Sequence, residues 1–338
     1  MRRSGSSSPP ATVVEFAVNP DYPFSVPRMQ VIARLRDLPP ANELAIIINC
    51  GTKWVSTLAL ASALRHAAMP VLLIDCESRD GSEAHFARIA KEHGFRFFWM
   101  SWPLRPHPDA LDQLFAEISA RFVLLVDSDV EIRTSAVVEA MRGALATNPK
   151  AYGAGFLQRG EWLGPPQHLL PEKTGYFAER MWIPLVFLNT AIVRDALRAG
   201  SRFAARRPFF EIAGNPRISR LLGYRFRIPG LRRLRLPRSA IGAPVVIDGI
   251  RPAFIDYDTG AELHQDLIAG GHPYCALADT LWGDVHHFHG VTRARIGGIF
   301  QRLAVLLGLV SRQSQTVPSA AHLDAMARLR EAYGIVAP

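Results

Sequence analysis

Four short runs decide the fold of this 338-residue chain: Leu44-Ala45-Ile46-Ile47-Ile48, Val71-Leu72-Leu73-Ile74, Phe95-Arg96-Phe97-Phe98-Trp99 and Phe122-Val123-Leu124-Leu125-Val126. Each is apolar at nearly every position rather than at every second one, the pattern of a strand covered on both faces. Between them lie segments with helical spacing, Val55 to His66, Ser82 to His93 and Asp109 to Ala120. Strands that alternate with helices are joined by crossovers, and crossovers pair strands in parallel. The expectation is an α/β fold with a Rossmann-like, mostly parallel sheet and helices on both faces. Beyond Asp129 the alternation gives way to Gly- and Pro-rich turns, an Arg-rich stretch from Arg217 to Arg238 and a late helix from Gly260 to Ala269. That half is expected to be more irregular.

Composition narrows the class. Apolar residues make up 49% and charged residues 20%, as in folded globular chains. The apolar run at Ala304 to Val310 falls far short of the roughly 18 residues of a membrane-spanning helix. Met1 to Pro10 is rich in Ser and Pro, lacks the apolar stretch of a secretory signal and reads as a disordered arm. Cys50, Cys76 and Cys275 are odd in number and widely spaced, which suits neither a disulfide framework nor a paired-cysteine zinc site. A cytoplasmic location is expected. The net charge of +9, carried by arginine with only four lysines, favours an anionic partner: nucleic acid, a membrane surface or a phosphorylated substrate.

In open α/β sheets ligands bind beyond the carboxyl ends of the strands. The residues standing there are Asn49, Asp75 and Asp127. No G-x-G-x-x-G or G-x-x-x-x-G-K-[ST] follows the first run, which reads Asn49-Cys50-Gly51-Thr52-Lys53, so nicotinamide dehydrogenases and P-loop ATPases are disfavoured. The fourth run ends Val126-Asp127-Ser128-Asp129-Val130-Glu131. Residues i and i+2 of a strand point the same way, so Asp127 and Asp129 present two carboxylates to one side, hard oxygen ligands suited to Mg2+ or Mn2+. The bland alternative is a solvated turn.

The succession Ile46-Ile47-Ile48-Asn49, then Leu73-Ile74-Asp75-Cys76-Glu77-Ser78-Arg79-Asp80-Gly81-Ser82, then Asp127-Ser128-Asp129 resembles GT-A-fold glycosyltransferases of the large inverting, nucleotide-sugar-dependent family, glycosyltransferase family 2. The resemblance implies a GT-A fold and a UDP-, GDP- or dTDP-linked sugar donor. It places Asn49, Asp75 and Asp80 with the nucleotide, Asp127 at the ribose or a metal-bound water, and Asp129 on the metal. Asp80-Gly81-Ser82 also reads as a helix cap.

Farther on, Ile255-Asp256-Tyr257-Asp258-Thr259-Gly260-Ala261-Glu262 holds a capping box, Thr259 with Glu262, that sets two aspartates ahead of a helix. By resemblance one of them is the catalytic base, Asp258 first and Asp256 second. Asp284-Val285-His286-His287-Phe288-His289-Gly290 packs three imidazoles into four residues. The family's metal site includes a His shortly before a Gly, which points to His289 first and His287 second. In an extended segment these two share a face and His286 points away. Trp282 could floor a sugar pocket or simply be core. The family's processive polysaccharide synthases carry Q-x-x-R-W and transmembrane helices, and the absence of both here implies single transfers.

The chain then divides into a disordered arm and lead-in (1–40), a nucleotide-sugar-binding half (41–135), an acceptor-binding and catalytic half (136–295) and a C-terminal helical segment (296–338). In the last, Ile296, Ile299, Phe300, Leu303, Leu306, Leu307 and Val310 fall at helical spacing, with Arg293, Arg295, Arg302 and Arg312 around them. Such a face suits packing on its own domain, a homodimer contact or peripheral attachment to the inner membrane face. Two other classes share parts of this pattern. Haloacid-dehalogenase-like phosphatases also place D-x-D after a strand, but usually the first strand, and with Thr or Val where this chain has Glu131. A basic non-enzymatic binding protein would use the Arg217 to Arg238 stretch, whose interleaved Leu, Ile and Pro form no nucleic-acid module, so no nucleic-acid partner is expected.

Overall fold

A computed structural model describes residues 28–78, 80–162, 176–204, 255–256, 258–288 and 320–336. The alternation read from the sequence is present: β2 (Glu43–Asn49), α1 (Lys53–His66), β3 (Val71–Cys76), α2 (Ser82–His93), β4 (Phe97–Trp102), α3 (His107–Glu117) and β5 (Phe122–Asp127). Ahead of them, within the lead-in, β1 (Met29–Val31) runs parallel to β4 at the sheet edge, and Ile32, Leu35 and Leu38 are buried behind it.

The sheet does not stop at residue 135. After β6 (Val130–Ile132) and α4 (Ala136–Thr147) come β7 (Gly153–Gln158), β8 (Glu161–Trp162), β9 (Tyr176–Phe177), β10 (Arg180–Asn189) and α5 (Thr190–Ala199). The later described elements are β11 (Ile255–Asp256), α6 (Ala261–Ala269), β12 (Tyr274–Ala276), β13 (Val285–His287) and α7 (Ala320–Tyr333). Eight strands form one sheet in the order β1-β4-β3-β2-β5-β10-β7-β12. Only β10 opposes its neighbours, and every other adjacent pair is parallel. The fold is mixed α/β with a mostly parallel central sheet.

Burial explains the uninterrupted apolar runs. Along β2, Ala45 and Ile47 enter one core while Leu44 and Ile46 enter the other. Helices α1, α2, α4 and α7 cover the first face, and α3, α5 and α6 the second. Helix α1 is buried continuously from Val55 to Ala63 because α7 closes over it, so its small residues replace the usual polar stripe.

The capping box expected at Thr259 does not form. Gly260 is the N-cap of α6 at φ +82°, with no side-chain cap, and the Asp258 carboxylate instead accepts from the Thr259 N–H at 2.8 Å. A glycine is needed there twice over, since a Cβ would also stand 2.9 Å from Ile183 Cδ1. Gly260→Ala is therefore expected to cost about 2 kcal/mol or more through left-handed strain and overpacking, read as a lower midpoint in urea. An unchanged midpoint would mean that the turn is redrawn at little cost.

Among the described residues no helix is long and apolar enough to cross a membrane. The Arg217 to Arg238 stretch and the segment from Ile296 to Val310 lie outside the described residues.

Candidate functional site

From β2 the chain steps outward through β3 to β4, then returns through α3 to β5 on the other side of β2. The order reverses between β2 and β5, and the crevice beyond such a reversal is where open sheets take ligands. The register sets Asn49 opposite Asp75 and Ile48 opposite Asp127, so the polar residues ending three strands stand in one row.

Asn49 is the hub of the first group. Its amide nitrogen donates to Asp75 Oδ1 at 2.6 Å and to the Ser78 and Ser82 hydroxyls at 3.1 Å. Its carbonyl oxygen accepts from the Thr52 N–H at 3.2 Å and from Ser56 Oγ at 2.7 Å. Asp75, 5% exposed, accepts the Ser78 N–H at 3.0 Å through its other oxygen. The N-cap of α2 is a left-handed Gly81 with no side-chain cap, and Asp80, one residue earlier, accepts the Ser82 N–H at 3.1 Å. Its second oxygen accepts from the Lys53 N–H at 3.4 Å, tying α2 to α1. The three residues assigned to the nucleotide by resemblance thus belong to one hydrogen-bonded network within the protein. What they offer a ligand is a shaped loop.

Asp127 and Asp129 form the second group. Strand β5 ends at Asp127 and a turn begins at Ser128, so Asp129 is not a strand residue and alternation does not explain its direction. The turn sets it 4% exposed, with its Oδ1 3.3 Å from Nε2 of His287, while His107 Nε2 is 3.8 Å from Asp127 Oδ1. Burial raises the Asp127 pKa; the His107 charge opposes the rise, the Asp129 carboxylate adds to it, and His287 opposes it. Two carboxylates that repel one another beside an imidazole make a place that attracts a cation. Thr52 Oγ1 donates to Ser128 Oγ at 3.4 Å and links this group to the Asn49 network.

His287 reaches Asp129 because β13 pairs antiparallel with β6, setting His287 opposite Val130, and the Phe288 N–H donates to the Asp129 carbonyl at 2.8 Å. His286 turns away toward Asp324, its Nε2 3.9 Å from Oδ2, as alternation predicts. His289, the first-ranked imidazole, lies outside the described residues. Among the described residues no group of three or more His, Cys, Asp or Glu side chains closes around a point that would hold a metal.

Asp258 is brought in by β10. That strand opposes β5, so its early residues extend past the carboxyl end of β5, and Arg180 NH2 there donates to Asp258 Oδ2 at 3.2 Å. Asp258 stands on the ligand-facing edge of the sheet; for Asp256 the backbone of β11 is described, paired with β9. Trp282, 39% exposed, stacks on Phe156 with ring centroids 3.8 Å apart. Trp182 touches its edge at 4.8 Å and the His287 ring at 5.6 Å. Trp182 therefore connects the exposed Trp282 indole to the His287 ring.

Sequence reasoning missed His107, Arg180 and Trp182. His107 could have been found, since it opens the helix after β4 and so lies at a strand's carboxyl end. Arg180 and Trp182 carry no local signal; only the reversed course of β10 delivers them.

No family model and no curated protein matches this chain. Among solved structures it is similar to the mannosyltransferase PcManGT from Pyrobaculum calidifontis in complex with GDP-Man and Mn2+, at 12% identity and TM-score 0.37, over 88% of this chain and 90% of that one. It is also similar to S. aureus TarS 1-349, at 14% identity and TM-score 0.34, over 48% of this chain. That match spans half of the TarS chain, 50%. A third is glucosyl-3-phosphoglycerate synthase from Mycobacterium tuberculosis with Mn2+ and UDP, at 20% identity and TM-score 0.27, over 34% of this chain and 44% of that one. Likeness at this level assigns no reaction.

Proposed function

We infer that this chain is a metal-dependent, inverting, non-processive glycosyltransferase that moves a sugar from a nucleoside diphosphate donor to an acceptor nucleophile. The observation that carries the reading is the meeting of Asp127, Asp129 and His287 at the carboxyl end of β5, beside the Asn49 network and at the reversal of strand order. The chemistry of Asp129 and His287, a carboxylate and an imidazole 3.3 Å apart, suits a divalent ion such as Mn2+ or Mg2+, and the half-buried Asp127 carboxyl, raised by burial first and in part by Asp129, stands two residues before. Asp129 and His287 would hold the ion with Asp127 behind them, and His289 remains a further candidate by resemblance. When bound, the ion supplies Lewis-acid stabilisation of charge on the departing diphosphate.

The chain's own residues do the rest. The loops pinned by Asn49, Asp75 and Asp80 orient the nucleoside, and their internal hydrogen bonds leave little to reorganise on binding. Asp258 accepts the acceptor's proton as the nucleophile attacks the anomeric carbon, with Arg180 fixing the carboxylate's direction; Asp256 is the alternative base. Single displacement inverts the anomeric centre.

A thermal-shift panel of UDP-, GDP- and dTDP-sugars with and without Mn2+ tests the reading. One donor is expected to raise the melting temperature only when the ion is present, since a ligand at 100 times its Kd stabilises by about 2.7 kcal/mol. A chain stabilised by none of them is not a nucleotide-sugar transferase. Phosphate release from phosphoesters without any sugar donor would favour the phosphatase instead.

A further inference from the structure

Glu131 stands in the middle of β6, two residues beyond Asp129, and is 0% exposed. The proposed reaction gives it no task. Its partners come from the far end of the chain. Arg328 Nε on α7 donates to both carboxylate oxygens, at 2.8 and 3.1 Å, and the Tyr333 hydroxyl lies 3.5 Å from Oε1. Arg133 Nε adds a weaker approach at 3.6 Å. One turn before Arg328, Asp324 faces His286, and His286 is the cross-strand partner of Glu131. Arg328 therefore holds one rung of the β6–β13 ribbon, and Asp324, one helical turn earlier, faces the other residue of that rung at longer range. The next rung pairs Val130 with His287, and the contact beyond it joins Phe288 to Asp129.

A ribbon of two three-residue strands is not stable by itself, and β6 and β13 pair only with each other among the described residues. Something else must fix its place. From below, Ser62 Oγ on α1 accepts the Ile132 N–H at 3.1 Å. From above, α7 is anchored by the burial of Ala325, Leu329 and Tyr333, and by Arg65, which donates to the Ala332 carbonyl at 3.0 Å and lies over the Tyr333 ring at 4.3 Å. An apolar side chain could fill position 131. A buried carboxylate held by a guanidinium also fixes direction.

We propose that Glu131 and Arg328 are positioning residues: the C-terminal helix, through this ion pair, holds the β6–β13 ribbon so that Asp129 and His287 converge to receive a divalent cation. The inference rests on reading those two residues as metal ligands. Groups behind metal ligands typically govern affinity by about 10- to 100-fold.

The test is a Mn2+ titration of the full chain in the presence of UDP or GDP, with free Mn2+ followed by electron paramagnetic resonance well below the melting temperature. Arg328→Ala is expected to weaken Mn2+ binding about tenfold or more, and Arg328→Lys, which keeps the charge, to weaken it less. The control is Arg142→Ala, which removes a remote ion pair of similar geometry, Arg142 NH2 to Glu43 Oε2 at 2.7 Å. It is expected to lower the melting temperature and leave Mn2+ affinity unchanged. Should Arg328→Ala fail to fold, Glu131→Gln, which keeps volume and one acceptor, is read in the same assay with the same expected loss. Unaltered affinity in the folded position-131 and position-328 variants overturns the inference while sparing the metal reading. A wild-type chain that binds no Mn2+ overturns both.

Discussion

Asp129→Ala is expected to abolish Mn2+-dependent binding of the donor nucleotide, by about 100-fold or more, while the chain stays folded. The magnitude follows from removing a ligand, a harsher change than the 10- to 100-fold typical of groups behind the ligands. The fold survives because Asp129 lies in a turn past the end of β5 rather than in either core. Stability without metal should not suffer at neutral pH. Burial and then the Asp129 charge hold the Asp127 carboxyl above the usual carboxylate range. A carboxyl raised in the folded state stabilises the fold below its ordinary pKa and loses that contribution as pH rises through the raised value. Deleting Asp129 removes one cause of that rise, so the stability lost on ionising Asp127 becomes smaller. Calorimetry with UDP or GDP and Mn2+, together with a melting curve at pH 7, checks both halves. Unchanged affinity for the nucleotide–metal pair removes Asp129 from the metal site.

Asp258→Asn is expected to leave donor binding intact and to lower turnover about 100-fold, the lower end of what a general base contributes. The substitution keeps the side-chain oxygen that accepts from the Thr259 N–H at 2.8 Å, so the turn into α6 should persist. It removes the charge facing Arg180 and the capacity to take a proton. Asp256→Asn is the paired measurement, with a smaller effect expected. A dead Asp256→Asn beside an active Asp258→Asn reverses the assignment. Normal turnover in both sends the proton elsewhere. Steady-state kinetics with saturating donor separates these outcomes from a binding defect.

The legible part of the fold was the part made locally. Uninterrupted apolar runs at residues 44–48, 71–74 and 122–126 state that both faces of a strand are covered, and covered strands joined by helices have one architecture open to them. Asn49, Asp75 and Asp127 could be singled out because a parallel strand presents its last residue to the ligand side whatever its neighbours are. The Thr259–Glu262 pattern misled, since a capping box is a side-chain preference and packing against Ile183 put a left-handed glycine at the N-cap instead. The D-x-D spacing pointed to Asp127 and Asp129 through strand alternation, whereas in the structure a turn at Ser128 aims Asp129.

By itself the sequence determined the layer order, the parallel core and the polar residues at the strand ends, because all follow from short-range periodicity. Tertiary structure alone decided what surrounds those residues. The reversed strand β10 carries Arg180 to Asp258 across 78 positions of sequence, and β13 lays His287 against Asp129. Helix α7 returns to close on Glu131 from 197 residues away. Such pairings are chosen by which faces remain to be buried once the sheet exists, and no window of neighbouring residues contains that information.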